Sequence, residues 1–313
     1  MYRDIDPPRP QEQERPDISR GGRAGGDDPD RLLPERDYRD VFVRDLALPQ
    51  GRERERIRHR ERDYDLRGTE TRLLTTVGAL RVVNAVDLRE SAQTARAAER
   101  DVERLREAGL IDTFTTVVDG QRATVLTLSE DGLDLLECAR RDERTGPEQA
   151  FHAGPATRRE LQHDLKVLHA YREAADDIRA AGGRVRRVVL ERDLKRDYQQ
   201  FLQAPNREHR SGSGRPARDA AEIARWAEEH RLPTQDGHVQ FPDARVEYER
   251  ADGRLDIRDL EVVTPHYRGA HAAAKARSGF SAHRASGARI TGRHESGRGG
   301  RGPDSRIAED LLR

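Results

Sequence analysis

The chain has 313 residues, of which 34% are hydrophobic and 37% are charged. This length accommodates two domains of ordinary size, but the composition is too polar for every residue to lie in a packed core, so we expect solvated segments as well. Lysine plus arginine and aspartate plus glutamate both number 58, which excludes a global positive charge as the basis of nucleic-acid binding. Any nucleic-acid surface must be local.

The single cysteine, Cys138, excludes an internal disulfide framework and fits a reducing compartment. No stretch approaches the roughly 20 apolar residues of a membrane span. The N-terminal sequence MYRDIDPPRP lacks the apolar region of a signal peptide. We therefore expect a cytoplasmic protein without a membrane partner.

Three segments have the composition of solvated chain. Residues 1–65 interleave proline, glycine and both charge signs, with apolar residues only in DVFVRDLALP, and are predicted to be a disordered charged arm. Residues 143–158 contain Gly-Pro steps and charges and are predicted to be a linker. Residues 291–313 are predicted to be a flexible Gly/Arg tail.

The region 66–142 begins with two predicted helices. Thr69 is placed to cap a helix through ETRLLTTVGAL, in which leucine and valine recur at helical spacing and Gly78 marks the end. After the short apolar run RVV, a second helix is predicted around AVDLRES.

A third helix is predicted from Thr94 to Ala108. Its apolar positions form one buried stripe, and its arginines recur every four residues on another stripe, so they project together. Gly109 is placed to end the helix with a positive φ. The stripe consists of Arg96, Arg100 and Arg104.

Two β-branched runs follow, DTFTTVV and RATVLTL, joined by a hairpin signal at Asp119-Gly120-Gln121. Ser129 then caps a helix through EDGLDLLECARR. The order of three helices, a hairpin and a helix resembles the winged helix-turn-helix domains of bacterial transcription regulators.

That resemblance implies double-stranded DNA as the partner, with the third helix in the major groove. The predicted contacts are those of Thr94, Arg96, Arg100 and Arg104 with bases or phosphate, and of Arg122 with phosphate beside the hairpin. In the alternative, the arginines pair with Glu99, Asp101 and Glu103 and bind nothing, or the domain contacts protein.

The region 159–290 predicts an α/β domain. A helix from His163 to Gly182-Gly183 is followed by a strand ending at Glu191, two helical stretches, and a strand pair turning at Asp252-Gly253. A small-residue helix RGAHAAAKARSG and a final strand FSAHRA complete it. This is the core order of restriction-endonuclease-like folds, so the expected fold class is α+β: a winged helix-turn-helix domain, a C-terminal nuclease-like α/β domain and disordered termini.

The helix around HDL, the strand ending in Glu191, and the PD and E motifs at Asp243 and Glu261 resemble the bacterial replication-relaxation family of plasmids and other mobile elements. The resemblance covers about residues 66–290. It implies a role in replication or transfer control. In the related PD-(D/E)xK nucleases two carboxylates hold Mg²⁺ and a lysine assists the attacking water. Here Asp243 and Glu261 would be the metal ligands, with Glu191 as a third.

The sequence departs from that pattern where the lysine belongs, because Val263 stands two residues after Glu261. Lys275, in the following predicted helix, is the candidate replacement. We therefore expect a DNA-binding protein with a degenerate nuclease-like domain and a possible homodimer. A Mg²⁺-dependent endonuclease and a winged-helix transcription regulator are the alternatives. Among the histidines, neither His266 and His271 nor His163 and His169 has the spacing of a helical zinc pair.

Overall fold

The structure, a computed structural model, describes residues 37–89, 93–118, 120–142, 146–154, 161–207, 218–263 and 278–284. In these ranges the chain is a mixed α+β protein. None of the helices there combines the length and the apolar composition that crossing a membrane requires.

The helices are α1 Asp40–Val43, α2 Gly68–Leu80, α3 Ala95–Glu107, α4 Glu130–Cys138, α5 Leu161–Ala180, α6 Glu191–Arg207 and α7 Ala220–Glu229, with a 3₁₀ turn at Ala85–Leu88. The strands are β1 Glu55–His59, β2 Arg62–Leu66, β3 Val83–Asn84, β4 Ile111–Val118, β5 Gln121–Leu128, β6 Arg184–Leu190, β7 Thr234–Gln235, β8 His238–Val239, β9 Ala244–Glu249, β10 Leu255–Val263 and β11 Ser281–Arg284.

Helix α3 and the hairpin after it follow the sequence prediction closely. Thr94 caps α3 by accepting a hydrogen bond from the Ala97 backbone N–H, and Gly109 follows the helix with φ 72°. Strands β4 and β5 pair antiparallel, and β3 extends the sheet in the order β3-β5-β4. Ser129 caps α4 through the Gly132 N–H. These signals are local, which is why the sequence predicts them well.

The two helices before α3 differ from their prediction. Helix α2 begins at Gly68, and the Glu70 carboxylate accepts a hydrogen bond of 3.2 Å from the N–H of the N-cap residue Arg67, so Thr69 lies in the first turn and is not the cap. The second predicted helix is the 3₁₀ turn at Ala85–Leu88, where Asn84 accepts the capping hydrogen bond. Residues 90–92, in the rest of that predicted helix, lie outside the described ranges.

Gly78 lies inside α2, although the sequence suggests that it ends the helix. A Cβ at this position would lie 2.7 Å from Leu128 Cδ1 and 2.9 Å from Phe151 Cδ1. Both distances are below van der Waals contact. The absence of a Cβ at Gly78 therefore allows α2 to pack closely against β5 and the segment that contains Phe151.

The prediction of a disordered arm is wrong for residues 37–65, and residues 1–36 lie outside the described ranges. The DVFVRDLALP patch forms α1 and the turn after it, and its valine, phenylalanine and leucine side chains are buried. Arg39 is 1% exposed and donates a hydrogen bond of 2.6 Å to the carbonyl of Leu88. Strands β1 and β2 form an antiparallel hairpin that buries Tyr64 and Leu66. A few apolar anchors thus order a charged segment because the rest of the domain supplies their partners.

The predicted linker at 143–158 is described over residues 146–154, which we call the strap; residues 146–148 are exposed, and the strap packs against the protein from residue 149 onward. Gln149 is 6% exposed; its amide donates to the Val188 carbonyl at 2.9 Å and accepts from the Val188 N–H at 2.9 Å. His152 lies 3.0 Å from Asp193, and both are buried. Burial alone would raise the pKa of Asp193, but its hydrogen bond with His152 helps to hold that pKa below its ordinary value. The strap therefore joins α2 and β5 to β6 and α6.

The C-terminal half is built on a four-stranded sheet in the order β11-β10-β9-β6. Strand β9 pairs antiparallel with β6 and β10, and β10 pairs parallel with β11. Helix α5 packs on this sheet through residues such as Leu168 and Ala175. Strand β6 ends at Leu190, so Glu191 opens α6 instead of closing the strand. The predicted RGAHAAAKARSG helix falls outside the described residues except at its end.

We predict that Gln149→Ala destabilises the protein by about 1–3 kcal/mol, because it leaves two backbone groups at the edge of β6 without partners. The free energy of unfolding in urea measures this. Gln240→Ala is the matched control, since its amide makes one exposed bond of 3.2 Å to the His238 carbonyl. Equal stability of the two variants would show that the strap does not hold β6.

Candidate functional site

The arginines of α3 form an exposed face on the side of the helix opposite its buried residues. Arg96, Arg100 and Arg104 are all exposed, whereas Ala98 and Leu105 are buried. In the described part of the chain no carboxylate lies within ion-pair distance of these three guanidinium groups. We call them the arginine face. It offers N–H donors to an anionic partner.

The acidic residues of α3 do not neutralise the arginine face in the way that the alternative interpretation requires. Asp101 is 1% exposed and accepts hydrogen bonds from Arg67 at 2.5 Å and from Thr69 and Gln93 at 2.8 Å. The Asp101 carboxylate is therefore paired inside the protein and not with the arginine face. 

Glu103 is satisfied on the flank of the helix. It accepts a hydrogen bond of 3.0 Å from Arg106 Nε, and this interaction lowers the pKa of Glu103 and raises the pKa of Arg106. Glu99 is exposed beside the arginine face. Two of the three acids that could have paired with the face are thus engaged elsewhere.

Thr94 precedes α3, and Arg122 lies near the tip of the β4–β5 hairpin. The Thr94 hydroxyl accepts a hydrogen bond of 3.2 Å from the Ala97 N–H, so it retains its own O–H as a donor. Arg122 is exposed near the turn between β4 and β5, where Gly120 has φ 81° and Val117 is 57% exposed. The hairpin tip therefore exposes both a charged and an apolar side chain. Among the described residues, no carboxylate lies within ion-pair distance of Arg122.

Three arginines in or next to the β1–β2 hairpin contrast with the arginine face, because each of them pairs with a carboxylate. Arg54 lies 2.5 Å from Glu70, Arg56 pairs with Asp63, and Arg62 pairs with Asp131. Arg54 and Arg62 share a surface groove with Arg104. The charge of that groove is mixed, so it adds little to the arginine face.

The second candidate site lies at one end of the C-terminal sheet. Asp243 immediately precedes β9, and its backbone N–H donates to the Leu260 carbonyl at 3.0 Å, which places it against β10 beside Glu261. Both carboxylates are buried, at 5% and 3% exposure. The two carboxylates that the resemblance pairs are therefore neighbours across β9 and β10. Asp243 Oδ2 accepts a hydrogen bond of 2.7 Å from the Val262 N–H.

His163 on α5 contacts this site and was missed by the sequence analysis, which used it only to start the helix. Its Nε2 lies 2.9 Å from Asp243 Oδ2, and its Nδ1 lies 3.4 Å from Asp164. Burial alone would lower the pKa of His163, but the hydrogen bonds and charges of Asp164 and Asp243 outweigh it and raise the pKa to about 10. The imidazole is therefore a cation at neutral pH.

The third predicted ligand, Glu191, takes a different role. Its backbone N–H donates to the Asp243 carbonyl at 3.0 Å, but its side chain lies 2.9 Å from Lys195, one helical turn further along α6. The side chain of Val263 and the whole of Lys275 lie outside what the structure describes. Lys166 is 8% exposed and lies one turn after His163 on α5.

These residues, as placed, do not fit a Mg²⁺ site. Asp243 Oδ2 already accepts a hydrogen bond from the Val262 N–H and lies 2.9 Å from His163 Nε2, so a cation at this oxygen would compete with both contacts. Three carboxylate oxygens, one each from Asp243, Glu261 and Glu191, do not lie within 4.8 Å of one another, although all three residues are described. The arrangement instead satisfies buried carboxylates with donors from α5 and β10.

Comparison of the chain with protein-family models, curated proteins and solved structures gave no match.

We predict that His163→Gln reduces stability most at about pH 6 and least near pH 10. A group whose pKa is raised on folding contributes stability that is complete below its unfolded pKa, 6.5 here, and that is lost as the pH rises through the folded value of about 10. Urea unfolding of the two proteins across this range measures the difference. His238→Gln, which changes an exposed histidine on β8, should follow the parent protein throughout. A pH-independent effect of His163→Gln would contradict the ion pair.

Proposed function

We propose that the protein binds double-stranded DNA through a winged helix-turn-helix made by α2, the 3₁₀ turn, α3 and the β4–β5 hairpin. The observation that carries the proposal is the arginine face: three exposed guanidinium groups on one helix, none within ion-pair distance of a described carboxylate. Three guanidinium groups at this spacing repel one another, which destabilises the helix. A polyanion bound along the face would relieve that repulsion.

In this proposal α3 lies in the major groove. Arg96, nearest the N-terminus of α3, reaches base edges, and Arg100 and Arg104 contact bases or phosphate. Arg122 follows the phosphates from the hairpin beside the groove. Thr94 contributes its free hydroxyl proton to the same surface. A face of only three arginines predicts modest, salt-sensitive affinity from one copy, so a second copy of the chain is the proposed source of further affinity and specificity.

The proposed biological role is control of replication or transfer on a plasmid or other mobile element. It rests on the resemblance of the PD and E motifs and the HDL helix to the replication-relaxation family. We propose that the C-terminal half is a nuclease-like domain without catalytic activity. The pairing of Asp243 with His163, and of Glu191 with Lys195, supports this because both carboxylates are used in internal ion pairs.

We predict that Arg96→Ala with Arg100→Ala weakens duplex binding by about tenfold or more and lowers the salt slope of log Kd by about two, one for each lost contact. Fluorescence anisotropy on a labelled duplex between about 50 and 200 mM salt measures both quantities. 

Arg106→Ala is the matched control on the same helix, because its guanidinium is held by Glu103 on the flank. It should bind DNA as the parent does. Unchanged affinity and salt slope in the double variant would disprove the assignment of α3 as the DNA-binding helix. An equal loss of affinity in Arg106→Ala would show that the effect depends on total charge and not on the arginine face.

We also predict that the purified protein does not nick supercoiled plasmid in Mg²⁺ or Mn²⁺ at micromolar concentration. Gel electrophoresis of the plasmid over time provides the measurement. Nicking that disappears in both Asp243→Asn and Glu261→Gln would overturn the inactive assignment and establish a metal-dependent endonuclease. Nicking that persists in both variants would point to a contaminating nuclease.

A further inference from the structure

The turn between β1 and β2 meets helix α4 at a cluster of three chemically different side chains. His59 ends β1, Asp134 lies in the middle of α4, and Cys138 ends α4 one turn later. One atom of each, the imidazole nitrogen, a carboxylate oxygen and the thiol sulfur, lies within 4.8 Å of the other two. Within the described residues this is the only group of three histidine, cysteine or acidic side chains that meets this distance.

We propose that His59, Asp134 and Cys138 bind a zinc ion that joins the β1–β2 hairpin to α4. A nitrogen, an oxygen and a sulfur ligand together match the preference of Zn²⁺, whereas Mg²⁺ and Ca²⁺ take oxygen ligands. Three protein ligands leave the fourth tetrahedral position for water. The proposal is independent of DNA binding and of the carboxylate site at Asp243.

The geometry needs only a small adjustment to accept the ion. His59 Nε2 lies 2.5 Å from Asp134 Oδ2, and zinc bonds of about 2.0–2.2 Å in a tetrahedron would place these atoms about 3.3 Å apart. The required opening is below about 1 Å. Cys138 is exposed and the His59 and Asp134 side chains are partly accessible, so a metal ion can enter from solvent.

A neighbouring contact orients one of the ligands before any ion binds, and a second contact holds the turn against α4. Arg60 Nη2 lies 2.6 Å from Asp134 Oδ1, the oxygen that does not face His59, and so orients the carboxylate. Arg62, two residues further along the turn, pairs with Asp131 one helical turn before Asp134. Such outer contacts typically orient metal ligands and strengthen binding. Asp134 and Cys138 share one face of α4 because they are four residues apart.

Cobalt titration tests the site directly, because Cys138 is the only thiol in the chain. The full-length protein, treated with a chelator and kept reduced by a phosphine, is titrated with Co²⁺ and followed by absorption. We expect a thiolate-to-cobalt charge-transfer band that saturates at one equivalent and is bleached by Zn²⁺. Because the thiol loses its proton when it binds metal, a thiolate band from this chain can only come from Cys138.

Variants separate the three-ligand site from a thiol that binds metal alone. Cys138→Ser should abolish the band, and His59→Gln and Asp134→Asn should each weaken apparent cobalt affinity by about tenfold or more. His238→Gln, an exposed histidine outside the cluster, should leave the titration unchanged. As a second readout, Zn²⁺ should raise the melting temperature of the parent protein and of His238→Gln but not of Cys138→Ser.

Two results would overturn the proposal. The first is the absence of a saturable charge-transfer band in the parent protein. The second is a band whose affinity is unchanged in both His59→Gln and Asp134→Asn, which would mean that the thiolate acts without these residues. Far-ultraviolet circular dichroism of each variant shows that it is folded before either result is scored.

Discussion

The packing of the two halves of the described chain against each other depends on the burial of Tyr171, on α5, against Tyr38 and Phe42 of the N-terminal segment. Its ring lies 5.4 Å from that of Phe42 and 6.0 Å from that of Tyr38, and it has no exposed surface. Its hydroxyl donates a hydrogen bond of 2.5 Å to the Tyr38 carbonyl. An aromatic side chain of this size contributes about 2–3 kcal/mol when it is buried, and its polar end is satisfied here as well. Arg44, which donates to the Arg186 carbonyl at 3.0 Å, secures the same junction.

This junction turns two apparent domains into one core. A single cluster of buried residues runs from α1 through α2 and β5 to α5 and the C-terminal sheet. The strap adds polar links where the apolar ones end, through Gln149 and His152. Since a close-packed core permits little relative motion, the arginine face is held in a fixed orientation to the C-terminal half. A protein that binds DNA through α3 would therefore present its C-terminal surface at a defined angle to the duplex.

The sequence predicts those parts of the molecule whose determinants are local. The boundaries of α3, the positive φ of Gly109 and the β4–β5 turn each depend on a few adjacent residues. The adjacency of Asp243 and Glu261 follows from the Asp252-Gly253 turn, because a tight hairpin fixes the register of its strands. In these cases propensity and tertiary structure agree.

Long-range packing explains what sequence analysis misses. The alternating charges of β1 and β2 suggest a solvated arm, yet Arg62 and His59 find their partners on α4, about 70 positions away in the chain. His163 meets Asp243 only because α5 packs on the sheet. Neither contact leaves a periodic signal. Composition therefore underestimates order wherever charges pair across elements and a small number of apolar residues, here Tyr64 and Leu66, is enough to anchor them.

Because acidic and basic residues are equal in number, the net charge says nothing about where an anionic partner would bind. The positions of charges without a partner of opposite sign are more informative. Most charged side chains considered above are matched: Asp101 with Arg67, Arg54 with Glu70, Asp243 with His163. Each match shortens the range of the electric field, because paired charges of opposite sign act as a dipole. Among the described residues, the arginine face combines three unmatched charges on successive turns of one helix. In a protein of zero net charge, such a face produces a local field that falls off within about a Debye length, roughly 10 Å at 0.1 M salt. A polyanion would then be attracted only when it is already close to the arginine face. Selectivity would therefore depend on the fit of the contacts and not on long-range electrostatic steering.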